Sequence, residues 1–399
     1  MKRNRIISVF IVLLFISSNL FAIGFGFHVF EVRTTPEFGN GVFPVSALYQ
    51  FDFPMESLIG NEISRLAFRI DSGLVYRTLS QNPDDGRILD QYPEATFTDG
   101  SLFSDFTTRD YTVHYDEFNM LFEQGFFGKL NSYNDLVTFH ASFGGRFEMA
   151  YERLNWMSNP DETAGVFWKA FKEERFPGST WAGQPELAGT RSIFQTFLTF
   201  GATLDMMMDD VTSQNGLKLD AWARFCHPGM IRHDGSGDFN VFKTTLSAAY
   251  TPLKFMREDK REYSLASFTI GTELSLKTVS GKAIPYYVTD TSIYGVKLPN
   301  TVNTFTNRVY ATLYGPQLNA KDLYPFITVF NDYGISFGNV VNRTEEEKIA
   351  ETAASFGFKA EFVIYNFANI FYELGYVYKE PFTDDEHPIT ARFGISVGV

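Results

Sequence analysis

Apolar and polar residues alternate one by one along most of this chain, most cleanly toward its C-terminus. Over 389–399, Ile389, Ala391, Phe393, Ile395, Val397 and Val399 share one face, and Thr390, Arg392, Gly394, Ser396 and Gly398 share the other. Over 264–277, Ala266, Phe268, Ile270, Thr272, Leu274 and Leu276 oppose Ser267, Thr269, Gly271, Glu273, Ser275 and Lys277. Over 136–151, Val137, Phe139, Ala141, Phe143, Phe147, Met149 and Tyr151 oppose Thr138, His140, Ser142, Arg146 and Glu148. Successive side chains of a strand point to opposite faces, so each segment is expected to be a strand with one greasy and one polar surface. A soluble sandwich alternates in the same way. Length separates the two. Strands of soluble proteins run about 5–6 residues, whereas a tilted strand crossing a bilayer needs about 9–11, and the longest runs here are of the second kind.

Fourteen segments read as strands: 24–32, 43–51, 63–78, 111–127, 135–151, 192–208, 216–226, 238–251, 263–277, 304–314, 324–337, 353–365, 368–378 and 387–399. Bacterial single-chain barrels have an even strand number, short periplasmic turns and longer outer loops. Counting back from a periplasmic C-terminus, 379–386 is outer and 366–367 a tight turn. Then 338–352 is outer, 315–323 periplasmic, 279–303 outer, 252–262 periplasmic, 227–237 outer and 211–215 a turn. The two longest connections, 79–110 and 152–191, both fall outside. The expectation is an all-β fold, a transmembrane antiparallel up-and-down barrel over 23–399 with both termini periplasmic.

The N-terminus is read separately. Lys2, Arg3 and Arg5 precede an apolar stretch from Ile6 to Ile16, then Ser17-Ser18-Asn19 and a small residue at Ala22. The stretch is shorter than the about 20 residues a membrane helix needs, and it fits a cleaved secretory signal over 1–22. Composition agrees with the barrel. The chain is 17% aromatic, with 43 Phe and 20 Tyr, yet its mean hydropathy is only -0.12. So aromatic a chain stays polar on average only by alternating the two kinds of group. The single Cys226 excludes an intramolecular disulfide and a Cys-based metal cluster. Losing three basic signal residues takes the formal charge from -13 to -16, which disfavours nucleic acid as a partner and attraction to anionic lipid surfaces.

The last eight residues, Arg392-Phe393-Gly394-Ile395-Ser396-Val397-Gly398-Val399, resemble the C-terminal assembly signal of bacterial outer-membrane barrels, with Gly394, Val397 and Val399 at its marked positions. That resemblance implies outer-membrane lipid and the barrel-assembly machinery as partners. Val399 stands where the class usually has Phe or Trp. The Phe-rich, acidic style resembles spirochaete outer-membrane proteins. Among fourteen-stranded barrels, fatty-acid channels of the FadL type carry an N-terminal plug with an Asn-Pro-Ala start, whereas alternation here begins at Gly24. The comparison implies an open, porin-like barrel, narrowed if at all by its own outer loops.

Catalytic and metal constellations are sparse, and no catalytic residue, metal or cofactor is expected. His140-Ala141-Ser142 resembles the His-x-Ser pair of the outer-membrane phospholipase, but the alternation turns His140 and Ser142 to the polar face, and no orienting third group is legible. Asp234-Gly235-Ser236-Gly237-Asp238 begins like a calcium loop but lacks its remaining carboxylates; a Gly- and Asp-rich turn accounts for it. The acidic stretch 79–110 reads as a solvated loop. Trp156, Trp168 and Trp181 in 152–191 read as loop packing or an inward-folded constriction.

The polar face is where solutes would be selected. It carries Arg65, Arg69, Asp71, Arg77, His140, Arg146, Glu148, Asp205, Lys218, Asp220, Arg224, Lys243, Glu273, Lys277, Arg308, Glu361, Glu373 and Arg392. Charges inside a barrel line water or pair across the wall, and they set permeant selectivity. The sequence therefore points to passive diffusion of small solutes. Two alternatives remain open: a surface adhesin or structural barrel acting through its outer loops, and FadL-like uptake of hydrophobic substrates.

Overall fold

The computed structural model describes residues 27–34, 37–38, 43–54, 66–81, 113–129, 136–152, 190–210, 212–227, 232–233, 238–257, 260–281, 284, 286–289, 291–316, 318, 323–341, 348–364, 368–379 and 389–398. Fourteen long strands form the wall. They are β1 (Phe27–Thr34), β2 (Phe43–Pro54), β3 (Leu66–Gln81), β4 (Val113–Lys129), β5 (Val137–Glu152), β6 (Thr190–Asp205) and β7 (Ser213–Cys226). The second half comprises β8 (Phe239–Arg257), β9 (Lys260–Gly281), β10 (Thr301–Tyr314), β11 (Leu323–Val340), β12 (Lys348–Ile364), β13 (Ala368–Lys379) and β14 (Ile389–Gly398). Each pairs antiparallel with the next, and β14 returns to β1 through Glu31↔Gly398 to Thr34↔Ile395, closing the barrel. Each of the fourteen expected segments overlaps a wall strand. The stretch 1–22 and most of 79–110 and 152–191 lie outside the described residues.

Closure satisfies the backbone between strands and leaves no sheet edge, the condition for sheet to exist in hydrocarbon. The side chains follow the same logic turned inside out. Phe242, Ile270, Val309, Phe356 and Tyr376 are exposed on the outer surface, while their strand neighbours Val241, Thr269, Ser355 and Val377 are buried. So continuous an apolar exterior is tolerable only against lipid.

Several connections differ from expectation, the 252–262 turn among them. Most of that expected turn is strand, because β8 runs on to Arg257 and β9 begins at Lys260, still paired through three register shifts. Pro252 lies where the β8–β9 register shifts between Tyr250 and Leu253. A proline has no N–H to give the ladder and is accommodated at a bulge, so the alternation breaks although the strand does not.

Candidate functional site

Paired residues on adjacent strands share a face, so the register places the charged positions around the barrel's inside. Arg69 and Asp71 pair with Gly125 and Glu123, and Glu148 pairs with Asn119. Asp205 pairs with Lys218, Asp220 with Thr203 and Arg224 with Thr199. Glu273 and Lys277 lie opposite Arg308 and Thr304, Glu361 opposite Phe371, and Glu373 opposite Arg392. Arg65 and Val399 lie outside the described residues. Gly394 is buried against the Phe371 ring, and Val397 is exposed on the outer face.

Several of these charges are paired. Arg224 meets Glu123 at 3.0 Å, its Nε donates to Thr199 at 3.0 Å, and its guanidinium lies 4.0 Å from the Phe197 ring centroid. Arg146 donates to Asn119 at 3.0 Å, and Lys218 pairs with Asp205 at 3.0 Å. Across the barrel, Arg308 makes a two-pronged contact with Asp332, at 2.7 and 2.6 Å. Lys359 pairs with Glu361 at 2.8 Å.

The connection between β9 and β10, residues 282–300, does not stand away from the rim as the sequence reading expected. It turns into the barrel. Ile284 and Val288, the latter in a single helical turn (Tyr286–Thr289), pack on Phe197, Cys226, Phe239, Val241 and Val279 of β6 to β9. Lys277 Nζ donates to the Thr289 carbonyl at 2.9 Å. A tight hairpin follows, with Ser292↔Lys297 and Ile293↔Val296 paired. Its turn needs Gly295, whose φ is 74°, a region L side chains avoid. Ile293, Val296 and Leu298 pack on Ala353 of β12 and Val377 of β13. The segment thus bridges wall strands on both sides of the lumen.

Tyr294 fixes the tip. It is 1% exposed. Its backbone N–H donates to Asp332 at 3.1 Å and its hydroxyl to the Thr390 carbonyl at 3.2 Å. Its ring lies 5.3 Å from that of Phe330 and 4.5 Å from the Arg392 guanidinium. Gly375 on β13 makes room, since a Cβ there would fall within the Tyr294 ring. Asp332, absent from the charged positions singled out by sequence, holds both Arg308 and this tip. The available signal was a cluster of large apolar residues, from Ile284 to Leu298, in a connection assigned to solvent.

No protein-family model matches the sequence, and no curated protein matches it. Solved structures do. CdiB from Escherichia coli superposes with a TM-score of 0.52 at 7% identity, covering 93% of this chain and 63% of that one. This chain therefore spans under two thirds of that structure's length. BamA from Haemophilus ducreyi lacking POTRA domains 1–3 gives 0.47 at 9% identity, with 94% and 70% covered. An outer membrane channel from Pseudomonas putida F1 gives 0.34 at 9% identity, with 94% and 96% covered. The chain has the fold of the bacterial outer-membrane β-barrels.

In this outer-membrane barrel the His-x-Ser pair is split between neighbours. The His140 imidazole lies over Gly201 on β6, whereas the Ser142 hydroxyl donates to Glu123 on β4. Among the described residues, no group of three or more His, Cys, Asp or Glu is placed to hold a metal ion. What the barrel's interior offers is a wall of polar, partly paired groups and apolar patches, with an inward-folded segment seated across the patches.

Proposed function

We propose that this barrel is a bacterial outer-membrane pore for passive diffusion of small solutes, its bore set by the inward-folded segment 282–300. The observation that carries the reading is that segment's seat, against β6 to β9 on one side and β11 to β14 on the other, inside a wall of paired charges. Fixed charges of both signs favour water and small polar solutes without strong selection by sign. An internal partition sets an upper size. The lumen-facing charges, from Arg69 and Asp71 through Arg392, are the pore lining in this reading. The short turns and both termini face the periplasm, and the rim bearing 282–300 faces outward. The apolar outer belt meets lipid. Residues 392–399, with Gly394, Val397 and Val399, are read by the assembly machinery.

Single-channel recording tests this directly. Refolded full-length protein in a planar bilayer is compared with a variant in which 284–299 is replaced by a short Gly-Ser linker. Stable steps in the wild type, larger in the variant, are expected. Silence from both, with insertion verified by heat-modifiable gel mobility, would remove diffusion as the function.

A further inference from the structure

Arg224 connects the apolar seat of the inward segment to a second feature. Its guanidinium rests on Phe197, one of the rings under Ile284 and Val288, and it also lines a hollow of about 220 Å³ in the wall. At about 30 Å³ per water the hollow holds about seven waters, the room of one small ring-shaped solute. Glu123, Phe127, His140, Ser142, Thr199 and Trp222 line it with Arg224.

Its chemistry is specific. Carboxylate and guanidinium meet at 3.0 Å and offset each other, while Asp71 takes the register position opposite Glu123 on the neighbouring strand. Ser142 donates to one carboxylate oxygen, and Thr199 receives the guanidinium Nε at 3.0 Å, so both charged groups are held in fixed orientation. Trp222 supplies an aromatic surface, with its ring centroid 5.4 Å from the guanidinium carbon. An ion of either sign gains little beside a pair of opposite charges. An apolar solute would strip water from both charged groups without replacing its hydrogen bonds. A neutral polyhydroxylated ring meets both demands. Its hydroxyls donate to the carboxylate and accept from the guanidinium, and hydrogen bonds to charged groups are about twice as strong as neutral ones. Its C–H face covers the indole, an amphipathic partner of the same kind.

We infer that this hollow is a binding subsite for a single neutral sugar ring. How the sugar arrives rests on the pore reading; the binding itself does not. The test titrates D-glucose into the full-length protein refolded in detergent, reading indole fluorescence, with glycerol and glycine betaine as acyclic and zwitterionic controls. The same preparation is recorded in planar bilayers. The expected result is a saturable response to glucose at millimolar concentration and none to either control. Trp222→Phe abolishes the response, and Glu123→Gln weakens binding about tenfold or more, with folding of both variants checked by heat-modifiable mobility. The inference is overturned by no saturation, by a response that survives Trp222→Phe, or by betaine saturating at lower concentration than glucose. Saturation without conductance refutes the pore and leaves the subsite; conductance without saturation does the reverse.

Discussion

Removing the Tyr294 side chain should loosen the partition while leaving the wall intact. Tyr294→Ala deletes a ring that is 1% exposed, its contacts with Phe330 and Arg392, and its hydroxyl bond to Thr390, but keeps the backbone N–H that binds Asp332. Truncating a buried aromatic residue to alanine costs about 3–5 kcal/mol. The separate contributions agree in scale: about 0.5–1.5 kcal/mol for an aromatic pair, about 0.5–2 for a cation over a ring and about 1 for a hydrogen bond, added to burial. None of these contacts belongs to the strand ladder, so the loss falls on the seating of 282–300. At about 1.4 kcal/mol per factor of ten, a loss of about 4 kcal/mol raises the ratio of unseated to seated segment about a thousandfold. Single-channel recording of the variant should then show excursions to a larger conductance and more open-channel noise. Tyr294→Phe, which loses only the hydroxyl, should shift the ratio about fivefold, from about 1 kcal/mol. Records of Tyr294→Ala indistinguishable from wild type, at equal insertion, would refute the reasoning that this residue holds the partition.

Gly375→Leu places side-chain atoms within the space of the Tyr294 ring and should enlarge the conductance in the same direction; a wild-type record would show that the wall yields instead. Asp332→Ala takes the carboxylate from both Arg308 and the Tyr294 N–H. Breaking a buried pair costs about 3–5 kcal/mol, discounted here to about 2 because the Arg308 side chain is 40% exposed and rehydrates; urea unfolding in lipid vesicles should show the loss, smaller in Asp332→Asn. Cys226, 1% exposed beneath Ile284 and Val288, should resist a maleimide in the folded wild type. It should be labelled in the Ile284→Ser/Val288→Ser double variant, as read by mass spectrometry, and equal protection in both would show that other groups cover it.

The wall was legible in the sequence because one physical demand, greasy outside and polar inside, is written at every second residue. It reads plainly at Ile270 beside Thr269 and Gly271, and it is interrupted where the ladder is irregular, as at Pro252 between Tyr250 and Leu253. The interior was less legible. Alternation places Arg308 on the inner face but does not reveal its pairing with Asp332, which depends on the β10–β11 register. The inward segment escaped for a related reason. Connections are expected at the surface because their backbone groups need partners, and here those partners are wall groups far away in sequence, Lys277, Asp332 and Thr390. Sequence reasoning gave the tryptophans of 152–191 to loop packing or a constriction, and most of that stretch lies outside the described residues; the inward segment that is described is built on Tyr294 and a row of aliphatic residues. The hollow beside Arg224 draws on four strands, β4 to β7, and no local pattern announces such a convergence.

The partition is tethered at both ends, emerging from β9 and re-entering the wall as β10 within 282–300. Once unseated, so short a tether holds it over the mouth at an effective concentration in the millimolar range or above. Closing a loop of about ten residues takes about 10–100 ns, so recapture competes with every escape and does not depend on how much protein the membrane holds. Such a barrel should flicker rather than switch, with brief upward excursions that broaden the open-channel current in place of lasting open and shut states.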